Sequence, residues 1–306
     1  MYYRRKILLS LLENFDGQLN KTSLQKLLFI YTRWQEKKAF DFVPYKYGCY
    51  SFQANQDLKT LGKYGLVHES TNATIEGTTE GKSPQWVKST EEEFTPTLKD
   101  TDKAFMIKLK SAYGASSREE LIKYTYQNYP FYAIKSEIAH KVLTKEELKK
   151  VEQQKRSFSE TKLFSIGYEG KSLEHYLNQL IINDVKLLCD VRKNSLSMKY
   201  GFSKSQLKHA CENVGINYLH IPELGIVSEK RQALNSLNDY QVLFKEYEKT
   251  VLIENKEHLL SINDLLKKYS RVALTCFEAT ECMCHRGRVV EALSKQPNWN
   301  IPIQHL

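Results

Sequence analysis

Proline is scarce in this chain, seven among 306 residues, and no apolar run approaches the ~18 residues that a membrane helix needs. The first absence argues against a Pro-rich disordered chain, and the second excludes a spanning helix. The opening residues Met1-Tyr2-Tyr3-Arg4-Arg5-Lys6 are basic, yet the segment after them runs into Glu13 and Asp16 in place of an apolar core and cleavage site. No signal peptide is expected, and the expected location is the cytoplasm. Cysteine is also sparse, six residues in all. Cys49 stands alone, Cys189 and Cys211 lie apart, and Cys276, Cys282 and Cys284 cluster. A disulfide scaffold belongs to short secreted chains, so these read as reduced thiols.

What is present describes a folded protein, with 41% hydrophobic and 11% aromatic residues. The length suits two domains of about 100–200 residues each. The formal charge is +9, from 45 Lys+Arg against 36 Asp+Glu. Such an excess attracts polyanions, and nucleic acid is the favoured partner, although a Lys-rich composition alone accounts for it equally well.

Residues 3–14 predict an amphipathic helix with Ile7, Leu8, Leu11 and Leu12 on one face. Asn20 or Thr22 caps a second helix carrying Leu24, Leu27, Leu28, Ile30 and Tyr31. Residues 40–50 are aromatic and turn-rich. Residues 52–64 are helical again, residues 65–68 read as a first wing strand, and residues 74–87 as the wing's tip and return strand. That order is the order of a winged helix-turn-helix, which presents one helix to a DNA groove. The same tripod also serves as a protein-interaction module. Residues 96–155 are helical and charged, with Ser116 or Ser117 and Glu119 or Glu120 making a capping box.

From Leu163 onward the pattern alternates. Strands are expected at 163–168, 185–189, 216–221 and 272–276, and helices at 173–182, 203–214, 240–269 and 285–293. The expected fold class is α/β, a mainly parallel sheet with helices on both faces, preceded by a mainly helical winged-helix-like domain. The expected division is a nucleic-acid-binding module at 1–95, a helical extension and linker at 96–160, and the α/β domain at 161–306.

In open α/β folds ligands bind beyond the carboxyl ends of the strands. Polar residues gather at those ends here: Gly167-Tyr168-Glu169-Gly170, then Asp190-Val191-Arg192 with Ser195, Ser197 and Lys199, then His220 and Glu223, then Cys276 and Glu278 with Cys284-His285-Arg286. Asp190 and Glu278 suit a carboxylate pair of separated pKa. Arg192 suits bidentate anion binding, and Arg286 and Arg288 lie in the first turn of the last helix, where phosphate is favoured. Asp190 and Arg192 also suit a structural pair, because residues two apart on a strand share a face. The cysteine cluster lacks the usual spacing of zinc ligands, so no metal and no other cofactor is expected. Cys284, at a helix N-terminus beside His285 and Arg286, is expected to have a lowered pKa and suits a nucleophile. A buried structural cysteine is the commoner outcome.

The runs Ser165-Ile166-Gly167-Tyr168-Glu169-Gly170, Asp190-Val191-Arg192, Gly201-Phe202-Ser203, residues 215–225 and residues 276–286 resemble, in order, the family called domain of unknown function 488. The resemblance spans residues 163–295. It implies a site built from Asp190, Arg192, Ser197, Phe202, His220, Cys276, Glu278, Cys284, His285 and Arg286. Ser195 stands where the family usually shows proline, and Met198 where a basic residue is common. The resemblance implies a fold and a site and leaves the reaction open.

The expected function is a hydrolase acting on nucleic acid, DNA before RNA, by cleavage of a base–sugar bond. Asp190 activates water, Glu278 or His285 protonates the leaving base, Arg192 and Arg286 hold phosphates, and Tyr168 or Phe202 stacks on a flipped base. Ser197, Lys199, His220 and Cys276 complete the pocket. The rivals are a non-catalytic DNA-binding sensor whose pocket holds a nucleotide, and a thiol-dependent enzyme using Cys284.

Overall fold

The structure is a computed structural model and describes residues 1–71, 84–231 and 236–306. It divides into two compact units, Met1–Lys155 and Arg156–Leu306. Among the described residues no helix is long and apolar enough to cross a membrane.

The N-terminal unit runs α1 (Tyr3–Asn14), β1 (Gln18–Asn20), α2 (Lys21–Trp34), β2 (Val43–Tyr45), β3 (Gly48–Tyr50), α3 (Phe52–Lys63), β4 (Val67–Ser70), β5 (Gln85–Lys88), α4 (Asp100–Tyr113), α5 (Arg118–Asn128), α6 (Ala139–Val142) and α7 (Lys145–Glu152). It is mainly helical. The Asn20 side chain accepts from the Thr22 N–H and starts α2, which satisfies one of the donors that every helix start leaves open. Ser117 and Glu120 form the capping box of α5. Residues 40–50, rich in turns, contain the hairpin β2–β3. The strand β1, which the sequence pattern did not announce, pairs with β5, and β5 pairs with β4, all antiparallel in the order β1-β5-β4. The expected wing tip lies outside the described residues. One core joins Ile7, Leu11, Leu24, Leu28 and Leu58 to Met106, Leu109 and Leu121, so α4 and α5 are built onto the same centre as α1–α3.

The C-terminal unit runs β6 (Lys162–Gly167), α8 (Leu173–Ile182), β7 (Leu187–Asp190), α9 (Lys204–Asn213), β8 (Asn217–His220), α10 (Leu237–Lys249), α11 (Val251–Glu254), α12 (Lys256–Tyr269), β9 (Arg271–Cys276), α13 (His285–Ser294) and β10 (Ile303–His305). The five strands are all parallel in the order β10-β6-β9-β7-β8. The fifth, β10, is too short and polar to read from the sequence. Strand alternation sorts the side chains. Leu187, Cys189, Val272 and Leu274 pack with Ile262 and Leu266 of α12 and Val289 and Leu293 of α13. Asp190 and Thr275 are register partners on the opposite face, where the hydroxyl of Tyr176 from α8 donates to Thr275 Oγ1 at 2.8 Å. Both faces are therefore covered by helices, as long apolar strands require.

Candidate active site at the carboxyl ends of the sheet

Strands β7 and β9 are neighbours, yet β7 continues toward α9 on one face and β9 toward α13 on the other. A crevice forms where adjacent strands part in this way. The expected site residues collect around it in two groups, one on each face.

The first group centres on Asp190, which is fully buried. Its Oδ1 accepts from the Arg192 backbone N–H at 3.2 Å and from Arg192 Nε at 2.8 Å. Its Oδ2 accepts from Arg192 Nη2 at 2.5 Å and from the Tyr218 hydroxyl at 2.6 Å. A carboxylate accepts about four hydrogen bonds, so these four fill it. Arg192 spends its other amino group on the Tyr168 hydroxyl at 2.8 Å and the Phe202 carbonyl at 2.9 Å. Burial works against the Arg192 charge, but the bonds to Asp190 outweigh it and hold the guanidinium above its ordinary value. Burial and the Asp190 charge push the Tyr218 hydroxyl up as well.

Tyr168 and Phe202 stack on each other, with ring centroids 4.3 Å apart and planes 9° from parallel. Both are buried, and each is also met edge-on by another ring, Phe277 against Tyr168 and Tyr176 against Phe202, with centroids 5.3 Å apart in each case. His220 Nε2 donates to the Arg192 carbonyl at 2.8 Å. Ser197 Oγ accepts from the Lys199 N–H, and Lys199 Nζ donates to the Tyr168 carbonyl at 2.8 Å. The arrangement is a closed scaffold: Asp190 holds Arg192, and Arg192 holds the loops that follow β6 and β7. Tyr218 was missed by the sequence reading. It stands two residues before His220 on β8, and alternation alone puts it on the Asp190 face.

The second group lies on the α13 side. Cys276 ends β9, and Cys284 and His285 begin α13. Their donor atoms all lie within 4.8 Å of one another. Sequence spacing hid this, because the loop between them doubles back. Arg286, buried, donates from its two terminal nitrogens to the carbonyls of Glu278 at 2.5 Å and Ala279 at 2.9 Å. Gly287 packs so tightly on the Glu281 carbonyl that a Cβ there would overlap it. At the loop's other end the same close approach holds at Gly167, where a Cβ would overlap the Glu278 carbonyl. Arg286 is thus a loop clamp, with its fork committed to backbone, and Arg288 pairs with Glu291 at 2.7 Å.

His285 Nε2 lies 2.8 Å from the Val191 carbonyl. A carbonyl only accepts, so Nε2 carries a proton, and in the neutral imidazole Nδ1 presents its lone pair. Nδ1 faces Cys276 Sγ at 3.6 Å, and Cys276 Sγ lies 3.4 Å from Glu278 Oε2. Glu278 is half-buried. The expectation of a lowered Cys284 pKa does not hold. Burial, and then the neighbouring Cys276, push that thiol up, because Cys284 is fully enclosed and the helix N-terminus cannot offset the loss of water.

Two further features border the crevice. Burial lowers Lys171, and the nearby charges of Arg286 and Lys199 lower it further. Lys171 Nζ donates to the Leu306 oxygen at 3.1 Å. A hollow of about 260 Å³ is lined by residues including Lys193, Glu223, Lys230 and Tyr247. The Tyr247 ring also meets the His285 imidazole edge-on, with centroids 5.8 Å apart. A second hollow, about 440 Å³, is walled by Leu252, Lys256, Leu259 and Arg288. It draws on α10 to α13 and on none of the strand ends, so it lies apart from this chemistry.

A parallel five-stranded α/β domain with its polar side chains at the strand ends is the class that this unit defines. Residues 172–293 match the family model described as Domain of unknown function DUF488, and the C-terminal half of the chain carries that domain. The match does not extend to the N-terminal unit. Comparison with curated proteins gave no match.

Proposed function

We propose that this chain is a nucleic-acid-acting hydrolase whose N-terminal unit is a winged-helix-like DNA grip and whose C-terminal crevice is the reactive site. The observation that carries the proposal is the surface of α3. The residues that reach its surface include Gln53, Asn55, Gln56, Lys59 and Lys63, while Asp57, its one acid, is fully buried and paired with Arg4 and Arg5. Amides read adenine edges and lysines neutralise phosphates, so a helix stripped of exposed acid suits a groove. The order of α1, β1, α2, α3, β4 and β5, with β5 central in its sheet, supports the winged-helix reading.

In the crevice the proton-transfer role falls to Glu278, half-buried beside Cys276, and not to Asp190, whose lone pairs are spent on Arg192 and Tyr218. Lys171 and Lys199 suit a phosphate of the substrate. The test incubates the full chain and its Glu278→Gln variant with single- and double-stranded DNA bearing normal and modified bases, resolved on denaturing gels with and without hot alkali. Loss of a general acid or base costs about 10²–10⁴-fold in rate. We expect breaks that need alkali, slowed by that factor in the variant. Breaks without alkali mean phosphodiester cleavage. DNA that is bound and stays intact throughout overturns the hydrolase and leaves a sensor, the reading that the closed Asp190–Arg192 network favours.

A further inference from the structure

We propose that Cys276, Cys284 and His285 bind a zinc ion at the carboxyl end of β9. The inference goes beyond the hydrolase reading and does not depend on it. Three donors converge from two chain segments, the end of β9 and the start of α13, with all their ligand atoms within 4.8 Å of one another. Among the described residues no other group of three His, Cys or acidic side chains gathers its donor atoms in this way.

The sulfur-to-nitrogen distance has the right size. A tetrahedral zinc with bonds of about 2.3 Å to sulfur and about 2.0–2.1 Å to nitrogen separates those two atoms by roughly 3.6 Å. Cys276 Sγ and His285 Nδ1 are 3.6 Å apart. The histidine is also prepared for the role. A metal-bound imidazole ordinarily donates its second N–H to a carbonyl or carboxylate, which fixes the tautomer and aims the ring. Here Nε2 donates to the Val191 carbonyl, and Nδ1 points into the cluster.

The enclosing shell restricts the ligand. Cys276, Cys284 and His285 are all buried. The loop joining them is fixed by the Arg286 fork on two of its carbonyls, so the donors are held in place by the chain itself. Two thiolates and an imidazole favour zinc over the harder magnesium and calcium. Three protein ligands leave a fourth position, the pattern of a zinc that acts on a bound molecule more than of one that only braces a fold. Glu278 lies close by, its Oε2 3.4 Å from Cys276 Sγ.

The experiment uses the reduced full-length chain, stripped with a chelator and titrated with Co²⁺, then with Zn²⁺. We expect one cobalt per chain, a thiolate-to-cobalt charge-transfer band, strong visible bands of tetrahedral cobalt, and loss of both on adding zinc. Cys276→Ser and Cys284→Ser should each weaken binding at least tenfold, with folding checked by circular dichroism. Cys282→Ser, at the exposed thiol in the same loop, should leave the spectrum unchanged. A wild-type chain that stays folded and shows no charge-transfer band overturns the proposal, whatever the variants do. A band that survives Cys276→Ser and Cys284→Ser and vanishes in Cys282→Ser overturns the assignment of ligands.

Discussion

The two polar groups at the end of this sheet lie on the neighbouring strands β7 and β9, far apart along the chain, and differ in how their bonding is spent. Around Asp190 every bond turns inward, with the carboxylate filled by Arg192 and Tyr218 and the guanidinium committed to Asp190, Tyr168 and Phe202. Around Cys276 two thiols and one imidazole nitrogen gather. The first group is a brace, and the second is a receptacle. A charged motif at a strand end therefore does not by itself identify the chemistry. What separates the two is the kind of atoms that meet, charged oxygen and nitrogen groups in the first and two thiols with an imidazole in the second.

Several substitutions sharpen or break this contrast. The largest effect is expected of Asp190→Ala, which leaves the Arg192 charge buried with no counter-ion. Removing one partner of a buried pair costs about 3–5 kcal/mol, and urea denaturation should show a loss of that order. A variant that keeps its stability would mean that the pair is no brace. Tyr218→Phe should cost less, about 1.5–3 kcal/mol for one hydrogen bond to a charged group, by the same measurement. Glu278→Gln belongs to the other side of the comparison. Its stability should stay within about 0.5 kcal/mol of the wild type while activity falls, because the side chain is half-buried and glutamine keeps its shape and an oxygen acceptor for the Cys276 thiol. Cys282→Ser, at an exposed loop position, should be the quietest, with thermal melting unchanged and metal binding intact.

Much of the architecture is legible in the chain. Apolar periodicity gives α1 over Tyr3–Asn14 and α8 over Leu173–Ile182 to the residue, and the buried runs give β6, β7 and β9. Periodicity works because a buried face repeats along the sequence. It misses β1 and β10, three residues each, because three residues carry no period. The ordered motifs also lead to the strand ends where the site lies. What they cannot carry is partnership. Asp190 and Arg192 look alike as a brace and as an anion site until Tyr218, Tyr168 and Phe202 are placed around them. Cys276 and Cys284 look wrongly spaced for a metal until the Arg286 fork folds the loop between them.

Gly167 packs against the loop that carries Glu278. It ends β6, its backbone is not in the left-handed region, and a Cβ there would overlap the Glu278 carbonyl. The demand at this position is for empty space, not for torsional freedom. Asparagine, which substitutes for glycine in left-handed turns, would therefore fare no better here than alanine. In a library of all single substitutions, residue 167 should stand out as a position that tolerates nothing else, although it offers no functional group of its own. The loop that carries Glu278 needs that vacancy to lie against the sheet.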